Sequence, residues 1–117
     1  MALVLAAGKG MRVGGPKALL LVDGAPLLVA HVQARLADCD RVVVVTRRSI
    51  AAQLDTSGWP AERVRVVLSD APDDEGPAGS IAAAAQQLPR DLAEATCVLV
   101  IPVDVRPALP RTVALLF

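Results

Sequence analysis

Four apolar runs punctuate the chain: "ALVLAA" (2–7), "RVVVVT" (41–46), "RVRVVL" (63–68) and "CVLVIP" (97–102). Three of them are rich in valine and almost unbroken, where a half-exposed strand would alternate with polar residues. That pattern belongs to strands covered on both faces, so a buried, parallel sheet is expected. Helical patterns separate the runs. "APLLVAHVQARLADC" (25–39) places Leu28, Val32 and Leu36 on one stripe, with Pro26 suited to a first turn. "SIAAQLDTSG" (49–58) starts at a capping Ser49 and stops at Gly58, and "PAGSIAAAAQQLP" (77–89) runs from Pro77 to Pro89. Alternating strand and helix predicts an open α/β sheet in three layers, α/β/α, with right-handed crossovers and a Rossmann-like strand order 3-2-1-4.

Composition narrows the class. Hydrophobic residues make up 54% of the 117 and aromatic ones 2%, so the core is aliphatic and the chain suits a single domain over residues 1–117. Twelve basic residues balance twelve acidic ones, which argues against holding nucleic acid or an anionic membrane by bulk charge. The opening apolar run is too short for a signal peptide or a membrane span. Cys39 and Cys97 follow neither a disulfide framework nor a zinc spacing, which fits a reducing cytoplasm. The last residues, "PRTVALLF", begin as a helix and carry no stop signal. An incomplete domain is therefore expected, its apolar end covered by a second copy or a partner chain.

The loop after the first run is the main candidate for chemistry. Gly8, Gly10, Gly14 and Gly15 allow backbone N–H groups to approach a phosphate, and Arg12 and Lys17 add fixed positive charge. Two common phosphate motifs fail here. A P-loop is broken by Pro16 before Lys17 and by Ala18 where a hydroxyl is needed, and in the dinucleotide fingerprint the third glycine comes one residue late. A solvated glycine-rich turn remains the bland alternative.

Residues 5–28, "LAAGKGMRVGGPKALLLVDGAPLL", resemble the opening signature of nucleotidyltransferases of the molybdenum cofactor guanylyl- and cytidylyltransferase type, L-A-[AG]-G-x-[GS]-x-R-[ML]-G-x-x-K. Leu5, Ala6, Ala7, Gly8, Gly10, Arg12, Gly14 and Lys17 are in register, and Val13 stands where Met is usual. "SDAPDDEGPAGSIAAAAQQL" resembles the segment that borders the nucleobase, with Asp70, Gly76 and Ser80 in it. "CVLVIPVDVRPALP" resembles the strand with a metal-binding aspartate, here Asp104, with two residues instead of one before Pro107.

The resemblance implies transfer of a nucleoside monophosphate from an NTP, GTP or CTP, to a phosphorylated acceptor of molybdopterin or sugar-phosphate type, with release of pyrophosphate. It assigns Arg12 and Lys17 to the catalytic charge on the phosphates and Leu5, Ala6, Ala7, Gly8, Gly10, Asp70, Gly76 and Ser80 to the nucleotide. Asp104 would hold Mg²⁺. It also implies that the family continues beyond this chain's end. A strand order of 3-2-1-4 puts Asp104 beside the glycine-rich loop, independently of the resemblance. A non-catalytic nucleotide-binding module or a fragment needing a partner chain is the alternative, and an NADP-binding domain stands third. The local alternatives are a turn-capping Asp104, a helix-capping Ser80 and a solvated acidic loop at Asp70, Asp73, Asp74 and Glu75. His31 reads as a surface or packing residue away from the strand ends, and Trp59 as the cover of a loop.

Overall fold

A computed structural model describes residues 1–8, 15–69, 76–105 and 107–116. Four parallel strands form the sheet: β1 (Ala2–Ala6), β4 (Val42–Thr46), β5 (Val64–Leu68) and β6 (Leu99–Pro102). Their order, β5-β4-β1-β6, is the expected one, with the fourth strand of the sheet beside the first. A two-stranded hairpin, β2 (Leu21–Val22) and β3 (Ala25–Pro26), stands apart. The helices are α1 (Leu27–Leu36), α2 (Arg48–Ala51), α3 (Gly76–Gln87), α4 (Pro89–Glu94) and α5 (Pro110–Ala114).

The unbroken valine runs are explained by a core on each face of the sheet. Successive strand side chains point to opposite faces. Val42 and Val44 therefore pack with Val4, Val64, Leu28, Val32 and Ile50 on one face. Val43 and Val45 pack with Leu3, Val67 and Ala84 of α3 on the other. Full burial of β4 on both sides leaves no position where a polar residue would be neutral. Each buried valine contributes about 1.5–3 kcal/mol relative to its exposed state, so this strand is the centre of the fold's stability.

Several local expectations give way. The helix expected over 49–58 is cut to α2, and Ser49 lies within it. The residue that caps it, Arg47, is extended and makes no side-chain capping bond. Farther on, within the stretch expected to be helical, the Asp55 carboxylate accepts hydrogen bonds from the Ser57 backbone N–H at 3.1 Å and hydroxyl at 2.6 Å. Such a local turn competes with helical bonding. Ser80 lies inside α3 and does not cap it, since the helix already begins at Gly76, whose φ of +57° favours glycine. Pro26 ends β3 and caps α1 with extended backbone instead of entering its first turn. Pro89 ends the α3 pattern but also opens α4, which the pattern did not reveal. Neither was the hairpin foreseen. Asp23 (φ 52°) and Gly24 (φ 83°) both take left-handed backbone, the requirement of a tight hairpin turn that Asp-Gly meets.

Cys39 and Cys97 are both free thiols, the first buried and the second exposed. Burial, and then the Asp38 carboxylate that accepts its S–H, push the Cys39 thiol up to about 11. Among the described residues no helix is long and apolar enough to cross a membrane.

Candidate functional site

The carboxyl ends of β1 and β6 meet, and three consecutive carbonyls leaving β1 are each held from a different neighbour. The Leu5 carbonyl accepts the Val103 N–H from the end of β6 at 3.0 Å. The Ala6 carbonyl accepts the Thr46 hydroxyl at 2.9 Å. The Ala7 carbonyl accepts the Arg47 Nε–H at 2.6 Å. The chain is thus fixed as it enters the glycine-rich segment, with Gly8 exposed at its start. Thr46 and Arg47 carry no motif that marks them as part of a site. Their position at the end of the strand adjacent to β1 was the signal that they anchor the loop.

Lys17 returns to the same place on a short 3-10 turn, Lys17–Leu19. The next residue, Ala18, is buried in the core cluster with Leu27 and Leu28 of α1, which fixes the turn against that helix. The Lys17 ammonium lies 3.6 Å from the Asp104 carboxylate, and both side chains are close to half exposed. Residues 87 apart in sequence are therefore opposed across the ends of two adjacent strands, as the strand order required.

The underside of the Asp104 turn is held by α1. His31 is buried, in keeping with a packing residue, but it lies at the end of β6 and not away from the strand ends as expected. Its Nε2 lies 3.1 Å from the Val103 carbonyl and 2.7 Å from the Val105 carbonyl, the two that flank Asp104. One turn on, the equally buried Arg35 donates from Nη2 to the Ala108 carbonyl and pairs with Asp38 at 3.2 Å. Burial holds the His31 imidazole below its ordinary value. The Val105 and Val103 carbonyls act in the opposite direction, the nearby Arg35 charge adds to the lowering, and the Asp104 carboxylate opposes it. A neutral ring that bonds two carbonyls through one nitrogen carries its proton on Nε2.

Gly76 and Ser80 lie at the start of α3, after β5, so β4 separates their strand from β1. Strand spacing of about 4.8 Å puts that end of the sheet about 10 Å from β1. The structure thus brings Lys17, Asp104 and the Leu5–Gly8 backbone together, and Gly76 and Ser80 stand apart from them at the start of a helix that packs on β4, β5 and β1. Gly10, Arg12, Gly14, Asp70, Asp73, Asp74 and Glu75 lie outside the described residues. Trp59 packs partly buried against the core cluster that contains Ile50 and Val64, consistent with covering a loop.

A single half-exposed carboxylate suits Mg²⁺ or Mn²⁺, hard cations that keep water and phosphate oxygens as most of their ligands. Among the described residues no group of three or more His, Cys, Asp and Glu side chains is arranged to hold a metal ion. Asp104 fits a cation that brings water and phosphate oxygens as its other ligands.

A family model described as "MobA-like NTP transferase domain" matches residues 2–117. Among solved structures, Rv0371c from Mycobacterium tuberculosis H37Rv aligns with a TM-score of 0.71 at 24% identity, over 95% of this chain and 55% of its own. A nucleotidyl transferase from Methanothermobacter thermautotrophicus aligns with a TM-score of 0.68 at 28% identity, over 95% of this chain and 53% of its own. A manganese complex of the Mycobacterium tuberculosis protein aligns at 0.60 with 25% identity, over 95% and 53% of the two chains. The chain thus spans about half the length of these structures. No protein of curated function matches it by sequence.

Proposed function

Because the chain belongs to the MobA-like NTP transferase domain family, we propose that it binds a nucleoside triphosphate with a divalent cation across the ends of β1 and β6 and transfers its nucleotidyl group to a phosphorylated acceptor. The observation that carries this reading is the Lys17–Asp104 pair, 3.6 Å apart and half exposed beside the anchored end of β1. A nucleotide whose base lies toward Gly76 and Ser80 would span the distance between β5 and β1. GTP or CTP as donor, a molybdopterin-type or sugar phosphate as acceptor, and Mg²⁺ as the ion follow from the resemblance in sequence. The manganese bound to a structural neighbour supports a divalent ion.

The chemistry asks little of the protein beyond placement and charge. The acceptor phosphate is already an anion, so its oxygen attacks the α-phosphorus without a general base, the bond from that phosphorus to the bridging oxygen breaks, and pyrophosphate leaves with the electron pair. Backbone N–H groups at Ala7 and Gly8 would hold phosphate oxygens, together with Gly10 and Arg12. Lys17 would leave Asp104 for the β- and γ-phosphates and offset charge on the leaving pyrophosphate. Asp104, released from Lys17, would ligate the cation. When bound, the cation neutralises phosphate charge and polarises the α-phosphate.

Calorimetry with the four ribonucleoside triphosphates tests the reading. Binding is expected with Mg²⁺, weaker without it, and reduced about 10- to 100-fold by Lys17→Ala, the range for losing a charge-assisted hydrogen bond. No binding of any of the four by the intact chain would end the proposal. Binding without pyrophosphate release, in the presence of a phosphorylated acceptor, would leave a nucleotide-binding module in place of a transferase.

A further inference from the structure

We propose that His31 is a positioning residue for Asp104, setting the direction of the carboxylate through the backbone on either side of it. This rests on the reading of Asp104 as the cation ligand. Asp104 lies in the turn that follows β6. The first residue of that turn is tied to the sheet by the Val103 N–H on the Leu5 carbonyl, and the Val103 side chain is buried among Leu28 and Val32. Beyond that point the backbone leaves the sheet, and the next described contacts that hold it come from α1. His31 Nε2–H is shared between the carbonyls of Val103 and Val105, and Arg35 holds that of Ala108.

The shared bond has a specific consequence. The two carbonyls belong to the peptide units just before Asp104 and one residue after it, so fixing both on one rigid ring restricts the backbone torsions of Asp104 itself. With those carbonyls drawn inward to α1, the Asp104 side chain is left half exposed on the outer side, facing Lys17. Ring rigidity also explains the residue type. A longer flexible donor can satisfy one carbonyl but does not hold two in a fixed relation.

The test uses the intact chain and Mn²⁺ with each ribonucleoside triphosphate in turn, free Mn²⁺ being read by electron paramagnetic resonance. His31→Leu is expected to weaken Mn²⁺-dependent nucleotide binding about 10- to 100-fold, the range seen when a partner that orients a metal ligand is removed. Nucleotide binding without metal should change far less. His31→Gln, which restores an N–H near the Nε2 position, should recover part of the loss. A folded His31→Leu protein that binds Mn²⁺ and nucleotide as the unmutated chain does, while Asp104→Asn binds them weakly, overturns the role of His31 alone. No Mn²⁺-dependent binding of any nucleotide, or binding indifferent to Asp104→Asn, overturns both this inference and the reading beneath it. Should His31→Leu fail to fold, ¹⁵N resonances of the unmutated imidazole decide. A proton on Nε2 that moves when Mg²⁺ and nucleotide are added supports the inference, and a proton on Nδ1, or an Nε2–H indifferent to them, overturns it.

Discussion

The inner and outer sides of the Asp104 turn are built on opposite principles. On the inner side, His31 and Arg35 are buried, 1% exposed each, and both donate to backbone carbonyls, those of Val103, Val105 and Ala108. On the outer side, Lys17 and Asp104 face each other at 3.6 Å and are nearly half exposed, so solvent screens their attraction. The inner bonds therefore belong to stability, and the outer pair is available for exchange. A site that must trade one ion pair for contacts with a charged ligand needs this division, because a buried Lys17–Asp104 pair would resist being opened. One helix, α1, serves both sides: Ala18 packs against it beneath the Lys17 turn, and His31 and Arg35 reach from it to the Asp104 turn.

The contrast can be broken at several points. His31→Leu leaves the buried Val103 carbonyl without its donor and the part-exposed Val105 carbonyl to water, and is expected to lower unfolding free energy by about 1–3 kcal/mol in urea denaturation. Thr46→Val keeps shape but removes the bond to the Ala6 carbonyl, and a loss of about 1–1.5 kcal/mol should follow in the same experiment. Acidification should act in the same direction through His31, whose folded-state pKa lies below the ordinary value near 6.5. Below that pH the unfolded chain takes up the proton first, so stability falls as pH drops, and above it this contribution is constant. Comparing urea midpoints at pH 7 and 5.5 for the unmutated chain and His31→Gln isolates the effect, which should vanish in the variant. Smallest of all, Lys17→Ala is expected to change stability by less than about 0.5 kcal/mol while still impairing nucleotide binding. A large stability loss in that variant would place Lys17 on the inner side of the comparison.

Much of this was legible in the sequence, for identifiable reasons. The valine runs announce strands covered on both faces, and adjacency of the fourth strand to the first puts Asp104 beside the glycine-rich loop that ends at Lys17. The helix stripe was read too narrowly. Leu28, Val32 and Leu36 make one stripe, yet Leu27, His31 and Arg35 form the parallel row one residue back, and all three are buried. A histidine and an arginine on a buried row must find acceptors, which was the available signal that they hold backbone. What periodicity could not supply was which carbonyls they meet, since these lie more than 70 residues away. The β2–β3 hairpin escapes periodicity because turn chemistry at Asp23-Gly24 decides it, and the stretch after α2 turns locally at Asp55 and Ser57 where the pattern alone suggests more helix.

The most direct test of the central claim is a crystal structure of the chain with Mn²⁺ and a nucleoside triphosphate it binds, with the ion located by anomalous scattering. The account predicts an ion about 2.1 Å from an Asp104 carboxylate oxygen, bridged to phosphate, with the Lys17 ammonium moved from Asp104 onto the phosphates. Nucleotide bound elsewhere, with the Lys17–Asp104 pair intact and no ion at Asp104, would contradict it.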